Sequence, residues 1–312
     1  MTLRRFFVAA DGRLHAPWRL LIFLLIAGLC VQVAGIAILP LLRAVDPLTG
    51  MNPMAASLTF VIGLLAAHAI MLLGVDRSTW SYVGLDAAAA RASTLAYAWI
   101  LGALPILLPS LVLLAFGWLV VRPSLQGSWW MAAVQVSLFL LSAALGEELF
   151  SRGYLFATLR DWFGWPFALM LTSIGFGLLH LANPDADARS VSLVVLAGVF
   201  LGAILLVTRS LYAAWIAHWA WNWVMAVPLH VAVSGLPLAH PDYQVVDSGP
   251  DWITGGRWGP EGGAAAAVGM LVGLGYLYLR VRRFGVWGVR SERTQDPHIS
   301  NPKPHSQNLT PE

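Results

Sequence analysis

Long apolar runs alternate with short polar breaks along the whole chain. Eight runs have roughly the 20-residue length that a helix needs to cross a hydrocarbon core: 20–42, 54–75, 96–121, 130–156, 166–182, 190–208, 211–230 and 262–280. Asp46-Pro47, Arg122-Pro123, Trp165-Pro166 and Asn183-Pro184 punctuate them, and such pairs favour turns. The pattern predicts an all-α fold, a polytopic membrane helix bundle of about eight transmembrane helices. The fifth run is short, and the fourth is expected to run on as an amphipathic helix to about Asp161. Glycines at four-residue spacing, Gly198/Gly202 and Gly269/Gly273, predict close helix approach.

Composition agrees with a membrane chain and excludes a soluble one. Hydrophobic residues make up 58% and charged residues only 11%, against about 25% charged in soluble domains. The first apolar run is longer than the roughly 7–15 residues of a signal-peptide core. Cys30 is the only cysteine, which excludes an internal disulfide and a cysteine metal cluster. A net charge of +3 spread between apolar runs gives no reason to expect nucleic acid as a partner.

Charge does orient the bundle. With eight spans, both termini and the even-numbered loops share one side. Apart from Arg152, inside a span, every Lys and Arg except Arg43, Arg122, Arg189 and Arg257 falls on that side. The positive-inside rule then places both termini in the cytoplasm of a multi-pass cell-membrane protein. Four regions follow: N-terminal transmembrane helices and loops over 1–129, a core carrying the candidate chemistry over 130–230, an external loop and last transmembrane helix over 231–283, and a polar tail over 284–312. The tail is rich in Pro, Asn and Ser and reads as disordered. The external loop, about 231–261, is rich in Gly, Pro and Asp.

Polar residues inside the spans are the candidate chemistry, because an ionised group in hydrocarbon costs roughly 2.5–3.5 kcal/mol even on the lenient insertion scale. The fourth run carries Glu147, Glu148 and Arg152, the fifth Phe176 and His180, and the seventh His218 and Asn222. Glu148 and Arg152 stand at i,i+4 and can pair on one face. Glu147 is turned about 100° away from Glu148 and is left to face a cavity. Runs four and five form an antiparallel pair about the turn at 162–165. Glu147 and His180 lie about equally far from that turn, so they should be level. His218 and Asn222, again i,i+4, share one stripe. His68 in the second run reads as a hydrogen-bonded packing residue, and His230 near a helix end as interfacial. A carboxylate beside a histidine can hold and deprotonate water, and a second histidine with an asparagine can donate to the oxyanion formed when water attacks a carbonyl. A divalent metal such as zinc, held by Glu147, His180 and His218, is the rival arrangement.

These residues carry a resemblance. Glu147-Glu148-Leu149-Phe150-Ser151-Arg152 is an EExxxR motif, Phe176 to His180 an FxxxH motif, and His218 to Asn222 an HxxxN motif. Three in order on three helices resemble the CPBP family, the type II CAAX prenyl endopeptidases and bacteriocin-processing, Abi-like intramembrane proteases. Asp76-Arg77-Ser78-Thr79-Trp80 with Gly84-Leu85 adds a weaker likeness. The match covers about 130–230, which would then be the protease core. The resemblance implies an intramembrane endopeptidase in which Glu147 and His180 activate water and His218 and Asn222 stabilise the oxyanion. Glu148, Arg152 and Phe176 would support the site's geometry. The family is often labelled metalloprotease, but a metal-free glutamate mechanism, requiring no cofactor, is the reading favoured here, since Asn222 is a poor zinc ligand and a good donor. The implied substrate is a membrane protein, a lipidated peptide or a leader peptide at the lipid bilayer. HExxH and GxSxG are absent. Two other classes use the same residues: a transporter or proton relay, and a non-catalytic immunity or scaffold protein.

Overall fold

Apolar runs of this length fold as helices because hydrocarbon supplies no hydrogen-bond partners, so each segment must satisfy its own backbone. The computed structural model describes residues 6–8, 12–45, 52–124, 128–238 and 242–284. In chain order these form α1 (Ala16–Ala37), the short α2 (Leu39–Val45), α3 (Asn52–Ala69) with a π-helical extension Ile70–Val75, α4 (Ala92–Ala115), β1 (Leu119–Pro123), α5 (Trp129–Arg152), α6 (Tyr154–Phe163), α7 (Trp165–Leu179), α8 (Ala188–Thr208), α9 (Leu211–Ala226), β2 (Tyr243–Asp247), α10 (Asp251–Thr254) and α11 (Ala264–Phe284). The expected polar tail lies outside the described residues, apart from Phe284.

The architecture is the expected helical bundle, with three local differences. The run 96–121 is helical only to Ala115: Gly117 turns the chain at φ 71°, and the β-branched Val120 and Val121 join a strand instead. β1 pairs antiparallel with β2, from Leu119 opposite Asp247 to Pro123 opposite Tyr243. The run 130–156 breaks after Arg152, and α6 carries on as an amphipathic helix to Phe163. The run 211–230 is helical only to Ala226, because Pro228 has no N–H to give the Val224 carbonyl, which accepts the Leu229 amide instead. The chain then continues as buried irregular structure through Val231 and Val233.

Among the described residues seven segments are long and apolar enough to cross a membrane, and the 16-residue α9 is not one of them. The small sheet nevertheless requires α9 to cross. Pairing of β1 with β2 puts the chain after α4 and the chain after α9 at one end of the bundle, so an even number of crossings separates them. The α5–α6 segment, α7 and α8 make three, and α9 makes the fourth. Hydrogen bonds at the opposite end agree: the Ser210 hydroxyl donates to the Ala89 carbonyl (2.7 Å) and the Leu211 amide to the Gly84 carbonyl (3.0 Å), so α4 and α9 start together.

A helix this short is tolerated because it is the axis of the bundle rather than a lipid-facing wall. Ala213, Ala217, Ala220, Val224 and Met225 pack into the cluster built by α4, α8 and α11, while Leu211 and Ala214 pack into that of α1, α3, α6 and α7. Small residues let backbones approach: a Cβ on Gly102 of α4 would collide with the Ala217 carbonyl, and one on Gly269 of α11 with the Pro105 carbonyl. Gly198, at the spacing noted in the sequence, would meet Ser173 Cα of α7 at 2.9 Å. Three tryptophans of α9 at four-residue spacing hold it to α5: Trp215 donates to the Leu141 carbonyl (2.7 Å), Trp219 to the Ser137 carbonyl (3.1 Å) and Trp223 to the Ser137 hydroxyl (2.9 Å). By contrast α1 exposes Leu21, Leu24, Leu25, Leu29, Val33 and Ile36, the surface expected of a helix bathed in lipid.

The α5–α6 break is braced from two directions. His68, fully buried as the packing residue the sequence suggested, donates from Nδ1 to the Leu64 carbonyl (2.8 Å) and accepts at Nε2 the Tyr154 amide (3.1 Å). That amide begins α6 and has no partner within its own helix. The Tyr154 hydroxyl joins Arg19 and Asp76, whose ion pair closes at 2.6 Å with both side chains under 10% exposed. Removing Asp76 leaves Arg19 charged and uncompensated, a loss of about 3–5 kcal/mol for a buried pair. Asp76→Ala is expected to lower the thermal unfolding midpoint in detergent sharply, whereas the double change Arg19→Met with Asp76→Leu is expected to recover most of it.

Candidate active site

Three helices bring the intramembrane polar residues together. Glu147, Glu148 and Arg152 come from the last turns of α5. His180 opens the 3-10 turn His180–Ala182 that continues α7, and His218 and Asn222 occupy adjacent turns of α9. The i,i+4 pair forms as the spacing predicted: Arg152 Nη1 donates to Glu148 Oε1 at 2.6 Å, with both side chains almost wholly enclosed. Arg152 Nη2 also donates to the Gly198 carbonyl of α8 (3.1 Å), and the guanidinium carbon lies 4.7 Å from the centre of the Phe176 ring of α7.

One contact was not foreseen. Glu148 Oε1 also accepts the Nδ1–H of His218, 2.9 Å away. Glu148 is therefore the orienting partner of a site histidine as well as the counter-ion of Arg152. The residue types hinted at this, but only the approach of α9 to α5 decides it. Its other oxygen, Oε2, is buried with no hydrogen-bond partner among the described residues.

Glu147 is turned the other way, as helical rotation requires, and its side chain is 37% exposed. Its Oε2 lies 3.9 Å from His180 Nε2 and 3.8 Å from His218 Nε2. Both separations exceed a direct hydrogen bond and suit a group held between. The opposite nitrogen of each ring is committed. His180 Nδ1 donates to the Phe176 carbonyl (2.8 Å) and His218 Nδ1 to Glu148. A ring nitrogen's partner sets which tautomer is present, so in its neutral form either ring turns an Nε2 lone pair towards Glu147, and a ring that takes up a second proton turns an Nε2–H there instead. The expected levelling of Glu147 with His180 is met, although the chain between them is bent at Gly153.

On the far side of the histidines is a cavity of about 30 Å³, lined by His180, His218, Asn222 and Phe176 together with Ser234 and Glu261. A water needs about 10–15 Å³ of such space and a few polar partners. Ser234 and Glu261 were missed in the sequence. Their signal was faint: an acid in a Gly-Pro-Glu-Gly-Gly stretch immediately before the last apolar run. His230, expected at an interface, is instead buried, its ring stacked on Tyr243 at 4.1 Å and its Nδ1 donating to the Tyr243 carbonyl, because β2 folds back over it.

Glu147, His180 and His218 are zinc-type donors. Among the described residues, however, no group of three or more His, Cys, Asp or Glu side chains is arranged to hold a metal ion.

Comparison with known proteins bears on the same stretch of chain. The family model described as type II CAAX prenyl endopeptidase Rce1-like matches residues 128–224, which span α5 to α9 and contain Glu147, Glu148, Arg152, Phe176, His180, His218 and Asn222. No curated protein and no solved structure matches the chain. Residues 128–224 are thus similar to the type II CAAX prenyl endopeptidase Rce1-like family, which supports a CPBP family intramembrane protease.

Proposed function

We propose that this chain is an intramembrane endopeptidase in which Glu147 and His180 activate a water for attack on a peptide carbonyl. The observation that carries the reading is the convergence of His180 Nε2 and His218 Nε2 on one oxygen of Glu147, at 3.9 and 3.8 Å, with both Nδ1 atoms already hydrogen-bonded. A water between these groups is held in the orientation needed to lose a proton.

The two histidines differ in what holds them, and this suits them to different roles. His180 is held by a neutral carbonyl and offers an acceptor to the water. His218 is held by the Glu148 carboxylate, so its ring can carry two protons with the charge compensated, leaving an Nε2–H to donate. In the reaction, Glu147 takes a proton as the water oxygen bonds to the carbonyl carbon. The carbonyl π electrons move onto oxygen, where His218 and the Asn222 carboxamide donate hydrogen bonds. Collapse of the tetrahedral species breaks the C–N bond, and the proton held by Glu147 passes to the leaving nitrogen. Glu148 and Arg152 touch no reacting atom: they position His218. No resident metal ion is needed for these steps. The substrate is a membrane protein, a lipidated peptide or a leader peptide reached at the bilayer, and the termini face the cytoplasm, on the side where the basic residues gather.

Cleavage of candidate membrane peptides by the purified chain tests this. Glu147→Gln and His180→Ala are each expected to lower kcat by about 10²–10⁴, the usual worth of a positioned base. Asn222→Ala should lower kcat by about 10²–10³ with little change in KM, as loss of an oxyanion donor does. Wild-type rates in both Glu147→Gln and His180→Ala would sink the mechanism. After rigorous removal of divalent metals activity is expected to persist; a complete loss restored by Zn²⁺ would replace the side-chain mechanism with a metal-centred one.

A further inference from the structure

Glu261 is a buried carboxylate beside the candidate site that the mechanism above does not use. It sits in the 3-10 turn Pro260–Gly262 leading into α11, outside the residues matched by the family model. It lines the same cavity as His180, His218 and Asn222. Both of its oxygens are engaged. Oε2 accepts the Trp221 indole N–H (2.9 Å), and Oε1 accepts both the backbone N–H (2.6 Å) and the hydroxyl (2.7 Å) of Ser234.

These partners lead to both halves of the site. Trp221 immediately precedes Asn222 on α9. The Ser234 carbonyl accepts the Asn183 side-chain N–H (2.9 Å), and Asn183 caps the turn that carries His180. Ser234 takes a left-handed backbone, φ 48°, to reach this position. Behind it the Gly235 amide donates to the Trp258 carbonyl (2.9 Å), so the segment is closed on itself as well as on the bundle. A single carboxylate therefore joins the turn of His180 to the helix of Asn222, and does so at the end of the bundle that carries β1 and β2.

We propose that Glu261 is a positioning residue of this site: the latch by which residues 227–236 and 258–263 shut the cavity at that end and keep the His180 turn and α9 in register. The catalytic part of this proposal rests on the peptidase reading. With that end shut, the scissile bond approaches from the side on which Glu147 is exposed.

The closure can be measured without turnover. Ala197 lines the cavity, so a thiol placed there (Ala197→Cys in a Cys30→Ser background) reports access by a charged, water-soluble maleimide to the full chain in detergent. Labelling is expected to be slow in this parent and about tenfold or more faster with Glu261→Gln, a factor in keeping with one lost hydrogen bond to a charged acceptor. Ser234→Ala, which keeps the amide and Trp221 bonds and so disturbs the fold least, should give a smaller increase. In the cleavage assay Glu261→Gln should lower kcat about tenfold and leave KM within about twofold, a split that general loosening of the fold would not give. Equal labelling rates in the parent and both latch variants overturn the proposal. Full cleavage by both Glu147→Gln and His180→Ala would instead sink the proposed water-activating mechanism, and no cleavage of any peptide by the parent would sink the peptidase reading; either leaves the closure standing.

Discussion

The bundle is organised around one fully enclosed carboxylate. Glu148 takes Arg152 and His218 on the same oxygen, and through them it ties α5 to α9, to the Gly198 carbonyl of α8 and to the Phe176 ring of α7. Charges taken out of water cost several kcal/mol each unless geometry and further hydrogen bonds compensate. The compensation here comes from four helices, so the helices are constrained to the places from which those groups can reach. The close approaches of Gly198 to Ser173 and of Gly102 to Ala217 are what let them stand there.

The separation of roles between two neighbouring acids follows from that constraint. Adjacent positions on a helix point about 100° apart. If one acid is enclosed and paired, the other must face a different neighbour. Glu147 faces the two Nε2 atoms and is partly exposed, while Glu148 is held in place by its own partners. The orientation of His218 is thereby inherited from a residue that is wholly enclosed. This is the outer-shell arrangement by which histidines are commonly given a fixed tautomer and direction.

Much of the fold and of the central cluster was legible in the sequence, for a specific reason. In hydrocarbon, apolar length dictates helix and an ionised side chain demands an explanation, so Glu147, Glu148, Arg152, His180, His218 and Asn222 stood out against their surroundings. Elements that obey neither rule were harder to read. Leu119, Val120 and Val121 of β1 are apolar and merged with the end of the third run, although Gly117 turns the chain and all three pair with β2. Helix α9 looked like an ordinary span, yet it is the short central axis, held by three indole N–H groups whose acceptors lie on α5. His230 looked interfacial because nothing local to it announces the strand that covers it.

The sequence by itself determined the helical class, the approximate spans, the pairing of Glu148 with Arg152 and the opposite facing of Glu147, because each depends on periodicity and on the cost of charge in an apolar medium. Only the tertiary structure decided that His218 is held by Glu148, that His180 and His218 converge on one oxygen of Glu147, and that Ser234 and Glu261 come from a distant loop to line the cavity. Those facts depend on helix approach and on loop return. Both are set by small-residue packing and by hydrogen bonds between residues up to 135 positions apart, a separation at which no local pattern carries information.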